Sequence, residues 1–582
     1  MMYILFTLLL TVVVFFVGWR PSKGNIVSVS TWSVIFFLIM GLINYFGLPV
    51  LNFWGFHEVW IQITSACLVG AILSLDDGDG WYDDFYWPKW VPFGITLIIF
   101  GFAQVDTWAM FGDNSEKYQK ILGMENANII ESDSTFSYDV SPIPIEKMRE
   151  VDASYAKLLA GDKLGNDPGL SSRTKIGRMT IQNITADFVI NGEERLVFKN
   201  DFIWIAPLEH TGFFKWKDNK TTPGYVIVDA TNYKNVYLVT SVNRDSLNLK
   251  YIETSCFSTD LERHIRNNGY MSRGIIDPCF EIDPDGRPFW VFTAYEKKVG
   301  FGGSSTVGAI TVDAQTGDIA EYTVDSAPFW VDRIQPESFI SKQISDWGAY
   351  KHGWKSSWRA EKDVEAPTPG MVVVSSGDRS CWYTGIKSSK AEGSTSGFML
   401  IDTRNKEVKL YRNPGINETA AKEVAEDIAG YKAAGYKATD PVLYNLRGVP
   451  TYFMAMKGAN NINAYVFVSV ADRQVLGFGK TKRDAERSYI DALLKMSQDQ
   501  KLVDGPVSKV EAKEYVVKDI VFEEGAYYLI FEEIPNKEFY GNSNLFLELK
   551  WTRKGHKVKM SYEDGESVQI PMNFFDNLNF SF

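Results

Sequence analysis

Hydrophobic positions follow two regimes along this chain. In the first 112 residues they form four long runs, Met2–Val17, Thr31–Leu51, Val59–Leu75 and Val91–Phe111. From Pro144 onward they come in short stretches, alternating with polar residues or recurring at helical spacing. A helix needs about 20 mostly apolar residues to cross the hydrocarbon of a bilayer. The first regime therefore predicts a four-helix transmembrane anchor over residues 1–112. The first run is short enough to suggest a signal peptide. It lacks a basic start and a small-residue cleavage site, and further runs follow it, so it is read as a span.

Orientation follows from basic residues in short loops. Arg20 and Lys23 follow the first run, which predicts a cytoplasmic loop there. Four spans then place the N-terminus and everything beyond Asp113 on the extracytoplasmic side of a multi-pass membrane protein. The third loop, "DDGDGWYDDFYWPKW", carries Trp81, Tyr82, Tyr86, Trp87 and Trp90, rings suited to the bilayer interface. Its Asp77, Asp79, Asp83 and Asp84 offer hard oxygen ligands, and Gly78 and Gly80 allow a tight turn. No Glu closes a calcium loop of about twelve residues, so a solvated turn is favoured over a cation site. Gln104 and Asp106 lie near the end of the fourth run, and Glu58 lies between runs. Charge within a span is the usual mark of transport, and its scarcity here favours a plain anchor.

Residues 113–144 read as a polar connector containing "ESDSTFSYDVSPIP". Beyond it one pattern recurs, a helix followed by hairpin strands. The clearest copy starts with "STDLERHIRNNGY", where Ser258 or Thr259 can cap a helix and Gly269 can end it. "DPCFEIDPDGRPFWVFTAY" and "GAITVDAQTGDIAEYTV" follow. In the latter, Ile310 and Val312 alternate with Ala309 and Thr311, the period of a half-buried strand. Another copy has a helix in "INETAAKEVAEDIAGYKAAGY", capped by Asn417, then "DPVLYNLRGVPTYFMAM" and "NAYVFVSVADRQVLGFG". Here Asp277-Pro278 matches Asp440-Pro441, "DGRPFW" matches "RGVPTY", and the strand ending at Asp313 matches one ending near Asp472. A further copy begins at "QPESFISKQISDWGAYKHGW", with Pro336 in the first turn. The most divergent has its helix in "PIEKMREVDASYAKLLAG". "GYVIVDATN", "GAITVDAQTG", "GFMLIDTRN" and "YVFVSVADR" are then four versions of one hairpin.

This organisation resembles the PepSY module, a helix followed by a small antiparallel sheet that often ends in a strand and turn like "VDAQTG". The resemblance runs from about Pro144 to Met496 and divides the region into units at 145–257, 258–334, 335–413 and 414–504. It implies an extracytoplasmic location, on a membrane anchor or beside a protease that the module restrains. The chain has no evident protease part. Small units are marginal alone, and stacking them would share apolar surface. Trp204, Trp216, Trp290, Trp330, Trp347, Trp354 and Trp382 would then fill either the joints or each unit's own core. "TKRDAERSYIDALLKM" reads as a closing helix with Ala485, Tyr489, Leu493 and Met496 on one stripe. Residues 505–582 carry strands separated by Gly turns, which predicts a small all-β barrel of the OB or SH3-like kind. The predicted fold class is a membrane-anchored α+β protein.

Composition narrows the function. Lys and Arg total 60 against 72 Asp and Glu, a net charge of -12. That does not provide the basic surface nucleic-acid binding needs. The four cysteines, Cys67, Cys256, Cys279 and Cys381, show no zinc spacing. Cys256 and Cys279 flank a helix and could pair in an oxidising compartment, although unpaired buried cysteine is the commoner state. His57, His210, His264, His352 and His556 are scattered, with no ligand spacing. "GFGGSST", from Gly300 to Thr306, has no following Lys and reads as a hairpin loop rather than a phosphate cradle. No nucleophile, base and oxyanion set emerges, and no cofactor is expected. The function expected is an extracytoplasmic scaffold or protein-binding protein, held by the lipid bilayer and meeting a protein partner or further copies of itself. The rivals are a regulator or inhibitor of an envelope protease, and an oligomeric channel or transport component.

Overall fold

The computed structural model describes the chain apart from residues 1, 21–25, 76–86, 131–142, 360–362, 377–378, 389–392, 447–448, 459–460, 497–512, 524–525, 542–548, 550, 563–568, 573 and 580–582. It is an α+β protein whose sheets are almost wholly antiparallel. The chain divides into two compact units. One holds Met1–Ile129 and Arg149–Leu410, the other Ile130–Met148 and Tyr411–Phe582.

The first unit opens with four apolar helices, α1 (Met2–Gly18), α2 (Ile26–Gly47), α3 (Glu58–Leu73) and α4 (Val91–Val105). Two stretches, Ile26–Gly47 and Trp87–Val105, are long and apolar enough to cross a membrane. The other two are shorter, at 17 and 16 residues, close to the apolar runs read from the sequence. At 1.5 Å per residue such helices reach about 26 Å, just under the hydrocarbon thickness. α2 stops at Gly47 because Leu48 takes a positive φ of 41° and Pro49 follows. The outward faces are oily: Leu5, Leu9, Leu38, Leu42, Ile98 and Phe102 are all exposed. Inside, a polar chain links three helices. Asn44 Nδ2 donates to Thr7 Oγ1 at 2.9 Å, and Gln62 Nε2 donates to Asn44 Oδ1 at 2.8 Å.

Three antiparallel sheets follow within this unit. The first centres on Thr180–Ile190, Glu194–His210, Tyr225–Asp229 and Val236–Val239. The second is Gly274–Ile282, Pro288–Val299, Gly302–Asp313 and Ile319–Thr323. The third includes Val372–Ser376, Arg379–Ser388, Gly397–Asp402 and Val408–Tyr411. One apolar core runs through the first two, joining Ile184, Ile205 and Ile227 to Phe280, Trp290 and Ile310.

One hydrogen-bond arrangement recurs in all three. In the second sheet Trp290 faces Val312, and the residue two beyond it, Ala314, donates to the Pro288 carbonyl at 3.1 Å. The Ala314 carbonyl accepts from the amides of Lys250 and Tyr251 at 2.8 and 3.0 Å, and Trp290 Nε1 donates to the Tyr251 carbonyl at 2.9 Å. In the first sheet Trp204 faces Val228, Ala230 donates to Phe202 and accepts from Glu150 and Val151, and Trp204 Nε1 donates to Val151. In the third, Trp382 faces Ile401, Thr403 donates to Ser380 and accepts from Ile334 and Gln335, and Trp382 Nε1 donates to Gln335.

The same arrangement stands in the second unit. Tyr452 faces Val468, Val470 donates to Pro450 and accepts from Ile416, and the Tyr452 hydroxyl donates to the Ile416 carbonyl at 3.2 Å. The position of Asp313 is taken there by Ser469, with Asp472 three residues further on. Trp204, Trp290 and Trp382 thus each serve their own sheet. Trp330 sits at a joint: its ring lies 4.8 Å from Phe289, and its carbonyl accepts from Gln182 of the first sheet.

The helices before the sheets begin where caps allow. Asp152 accepts from the Tyr155 amide and starts Ala153–Gly165, and Asn417 accepts from Ala420 and starts Glu418–Glu426. Upstream of Ala153 the expected helix is reduced to a single tight turn at Ile145–Lys147, because the amides of Glu150 and Val151 bond instead to the Ala230 carbonyl. In the second copy the cap is Asp260, not Ser258 or Thr259, which lie in a single tight turn. Gly317 has φ 83°, and a Cβ there would lie 2.5 Å from the Tyr251 ring, so the "VDAQTG" turn accepts no side chain at that place. The second unit also holds a six-stranded sheet over Lys513–Asn577, in the order Gln569–Pro571, Ile534–Gly541, Ala526–Phe531, Lys513–Glu523, Lys557–Ser561, Phe574–Asn577. Val517, Leu529, Phe531, Phe539 and Val558 form its core.

Candidate functional site

The end of α4 is built into the protein rather than left as a linker. Thr107 Oγ1 donates to the Ala103 carbonyl at 3.1 Å and accepts from the Phe301 amide at 2.8 Å. The residues expected to be a polar connector begin instead with a helix, α5 (Asn114–Lys120). Its Tyr118 hydroxyl donates to the Thr107 carbonyl at 2.8 Å, and Asn114 Nδ2 donates to the carbonyls of Asp106 and Trp108. At Gly300, Gly302 and Gly303 the hairpin tip can reach this corner only without a side chain: a Cβ on Gly302 would lie 2.0 Å from the Tyr118 hydroxyl.

Between this corner, the hairpin and the Glu337–Ala349 helix lies a cavity of about 1080 Å³. Apolar walls come from Trp108, Met110, Ile121, Ile276, Phe339 and Trp358. Polar groups come mainly from Lys297, Ser304, Lys342, Gln343 and Asp346. Lys297 Nζ donates to Ser304 Oγ at 2.8 Å, and Gln343 Nε2 donates to the Ser304 carbonyl at 2.9 Å. Gln343 is 3% exposed, and its Oε1 has no hydrogen-bond partner. Lys342 pairs with Asp346.

Burial shapes the charges. It holds the Lys297 ammonium below its usual pKa, with Glu58 pulling the other way. It raises the Asp346 carboxyl, against the pull of Lys342. The Tyr118 phenol is pushed up to about 12 by burial, with Asp346 adding to the rise. At neutral pH this lining offers a desolvated cation, an unpaired amide oxygen and a neutral phenol beside aromatic walls. Such a set binds an amphiphilic ligand more readily than it drives a reaction.

A second polar cluster lies where the three sheets meet. Glu281, fully buried, accepts from the Asp332 amide at 3.0 Å, while its Oε1 has no partner. Asp332 accepts from the Asn183 amide at 3.0 Å. Arg404 donates to the carbonyls of Ala327, Pro328, Phe329 and Val331. Burial pushes the Glu281 carboxyl up to about 8, and Asp332 adds to the rise. These bonds lock the linker between the second and third sheets.

Asp77, Asp79, Asp83 and Asp84 lie outside the described residues. Among the described residues no group of three or more His, Cys, Asp or Glu is placed to hold a metal ion. The histidines remain apart: His264 Nε2 meets the Gly317 carbonyl at 2.7 Å, His352 faces Asp363 at 3.6 Å, and His210 is buried with its pKa lowered by burial. All four cysteines are unpaired, Cys256 and Cys279 included. Sequence reading missed Tyr118, Lys297 and Gln343. The signal that could have exposed them is the Gly pair at 302–303, which marks a close approach rather than a free loop. No protein-family model matches the chain, and no curated protein matches it in sequence.

Proposed function

We propose that this chain is a membrane-anchored extracytoplasmic scaffold or protein-binding protein without catalytic activity of its own, built from four PepSY-like units and a C-terminal small barrel. The observation that carries the reading is the fourfold hydrogen-bond arrangement around Trp204, Trp290, Trp382 and Tyr452. An arrangement that keeps its bonds while the surrounding sequence diverges is what duplicated units would retain. The exposed apolar helices support the anchor. Orientation draws on the basic residues at one end of the bundle. Arg20 donates to the Ser74 carbonyl at 3.0 Å and Lys89 to the Phe16 carbonyl at 2.9 Å, so both basic residues sit at one end of the bundle, which supports reading that end as cytoplasmic. The end where Tyr3, Leu48 and Met271 pack together then faces outward.

The test is affinity isolation of the full chain from detergent-solubilised membranes after cross-linking in cells. A stoichiometric protein partner, or a defined homo-oligomer, is expected in the membrane fraction. A partner protease whose activity falls on binding moves the assignment to a protease regulator. Conductance of the purified chain in bilayers moves it to a channel. A chain found only in the soluble fraction sinks the anchor.

A further inference from the structure

The cavity at the end of α4 combines three features that a generic crevice lacks. Its volume, about 1080 Å³, is just above the range of about 300–1,000 Å³ usual for small-molecule pockets. Trp108, Met110 and Trp358 line it yet remain 52%, 50% and 75% exposed, which places apolar surface at its open side. That side adjoins the last turn of α4, which belongs to a stretch, Trp87–Val105, long and apolar enough to cross a membrane. Deeper in, Lys297 is desolvated, and its 2.8 Å bond to Ser304 Oγ leaves ammonium protons for an anion. Gln343 presents a buried oxygen that lacks a donor. Its amide nitrogen is committed to the Ser304 carbonyl, so the orphan atom is an acceptor.

The geometry points to a site for an anionic phospholipid with a hydroxyl-bearing headgroup, entering from the bilayer beside α4. The phosphate meets Lys297, a headgroup hydroxyl donates to Gln343 Oε1, and acyl chain lies along Trp108, Met110, Phe339 and Trp358. A free headgroup would leave those apolar walls uncovered, and a zwitterionic lipid would bring a second cation toward Lys297. The inference rests on the reading of α4 as a membrane helix.

The test uses the full chain in detergent micelles, titrated with phosphatidylglycerol or phosphatidylcholine, with bound lipid counted by native mass spectrometry. One phosphatidylglycerol per chain is expected, held about tenfold more tightly than phosphatidylcholine, whose headgroup has no hydroxyl to donate to Gln343 Oε1 and brings a second cation toward Lys297. Lys297→Met should weaken it about tenfold. Met110→Glu, at an exposed position, brings a repelling charge to the open side without touching the core and should weaken it too. Equal retention of both lipids, or unchanged binding in both variants, overturns the site. Glycerol phosphate binding as tightly as the lipid also overturns it. A chain that stays monodisperse without detergent instead overturns the membrane reading. A detergent-requiring chain with no lipid selectivity overturns the lipid site alone.

Discussion

Trp290 Nε1 donates to the carbonyl oxygen of Tyr251 at 2.9 Å, and that same residue's amide donates to Ala314. The bond closes a triangle between a central strand, the end of its partner, and the segment leading to the helix. Because the indole is fully buried, Trp290→Phe leaves a carbonyl without its donor and removes ring volume. A local loss of about 1–3 kcal/mol is expected. Tyr452→Phe deletes only the hydroxyl that occupies the same role, with a loss of about 0.5–1.5 kcal/mol. Hydrogen exchange checks both, through faster exchange at Lys250 and Tyr251 in the first variant and at Ile416 in the second. Unchanged protection in both would show that the aromatic donor is not part of the shared scaffold.

Glu281 makes stability depend on pH. Its carboxyl is raised from 4.5 to about 8, chiefly by burial. Between those values the folded protein holds a proton that the unfolded chain releases, so stability falls as pH rises through the window. Asp332, raised by the same cause, acts with the same sign. Glu281→Gln keeps the shape and removes the ionisation. Thermal melts between pH 5 and 8 should show a clearly shallower decline in the variant, and an identical decline would assign the slope to other groups.

What could be read from the chain was periodic and local. The turn positions Asp229, Asp313 and Asp402 stood out because each carboxylate accepts the amides two and three residues on, a role few side chains fill. Pro288 and Pro450 could be aligned because each stands in a short motif, "DGRPFW" and "RGVPTY", at a strand. The second copy's cap was misplaced because Ser258, Thr259 and Asp260 all suit a cap, and only the tertiary path selects among them. The ends of α1 and α3 moved by one or two residues from the apolar runs, because hydropathy does not say where a helix ends. The cavity was illegible: it depends on Thr107 meeting Phe301, 194 positions away. Nothing periodic in either segment encodes that meeting.

The chain Thr7–Asn44–Gln62 predicts how the apolar helices hold together. Asn44 is 1% exposed and sits at the middle of the chain, so Asn44→Leu breaks both bonds at once. Gln62→Leu breaks one, and its Oε1 was already unpartnered. Such bonds between membrane helices average about 0.6 kcal/mol, so Asn44→Leu should lower the melting temperature in detergent by more than Gln62→Leu. The reverse order would mean that packing volume, not hydrogen bonding, joins α1 to its neighbours.

Cysteine exposure tests which side of the membrane the sheets occupy. Cys67, Cys279 and Cys381 are buried at 3%, 3% and 7% exposure, whereas Cys256 is partly exposed and unpaired. Cys256 lies in the segment between the first two sheets, well away from α1–α4 in sequence. If the basic loop after α1 is cytoplasmic, the sheets are outside. A membrane-impermeant maleimide should then modify Cys256 in intact cells and spare Cys381 until the protein is denatured. A Cys256→Ser control should abolish the signal. Labelling of Cys256 only after the cells are opened would place the sheets inside, and with them the partner to be sought.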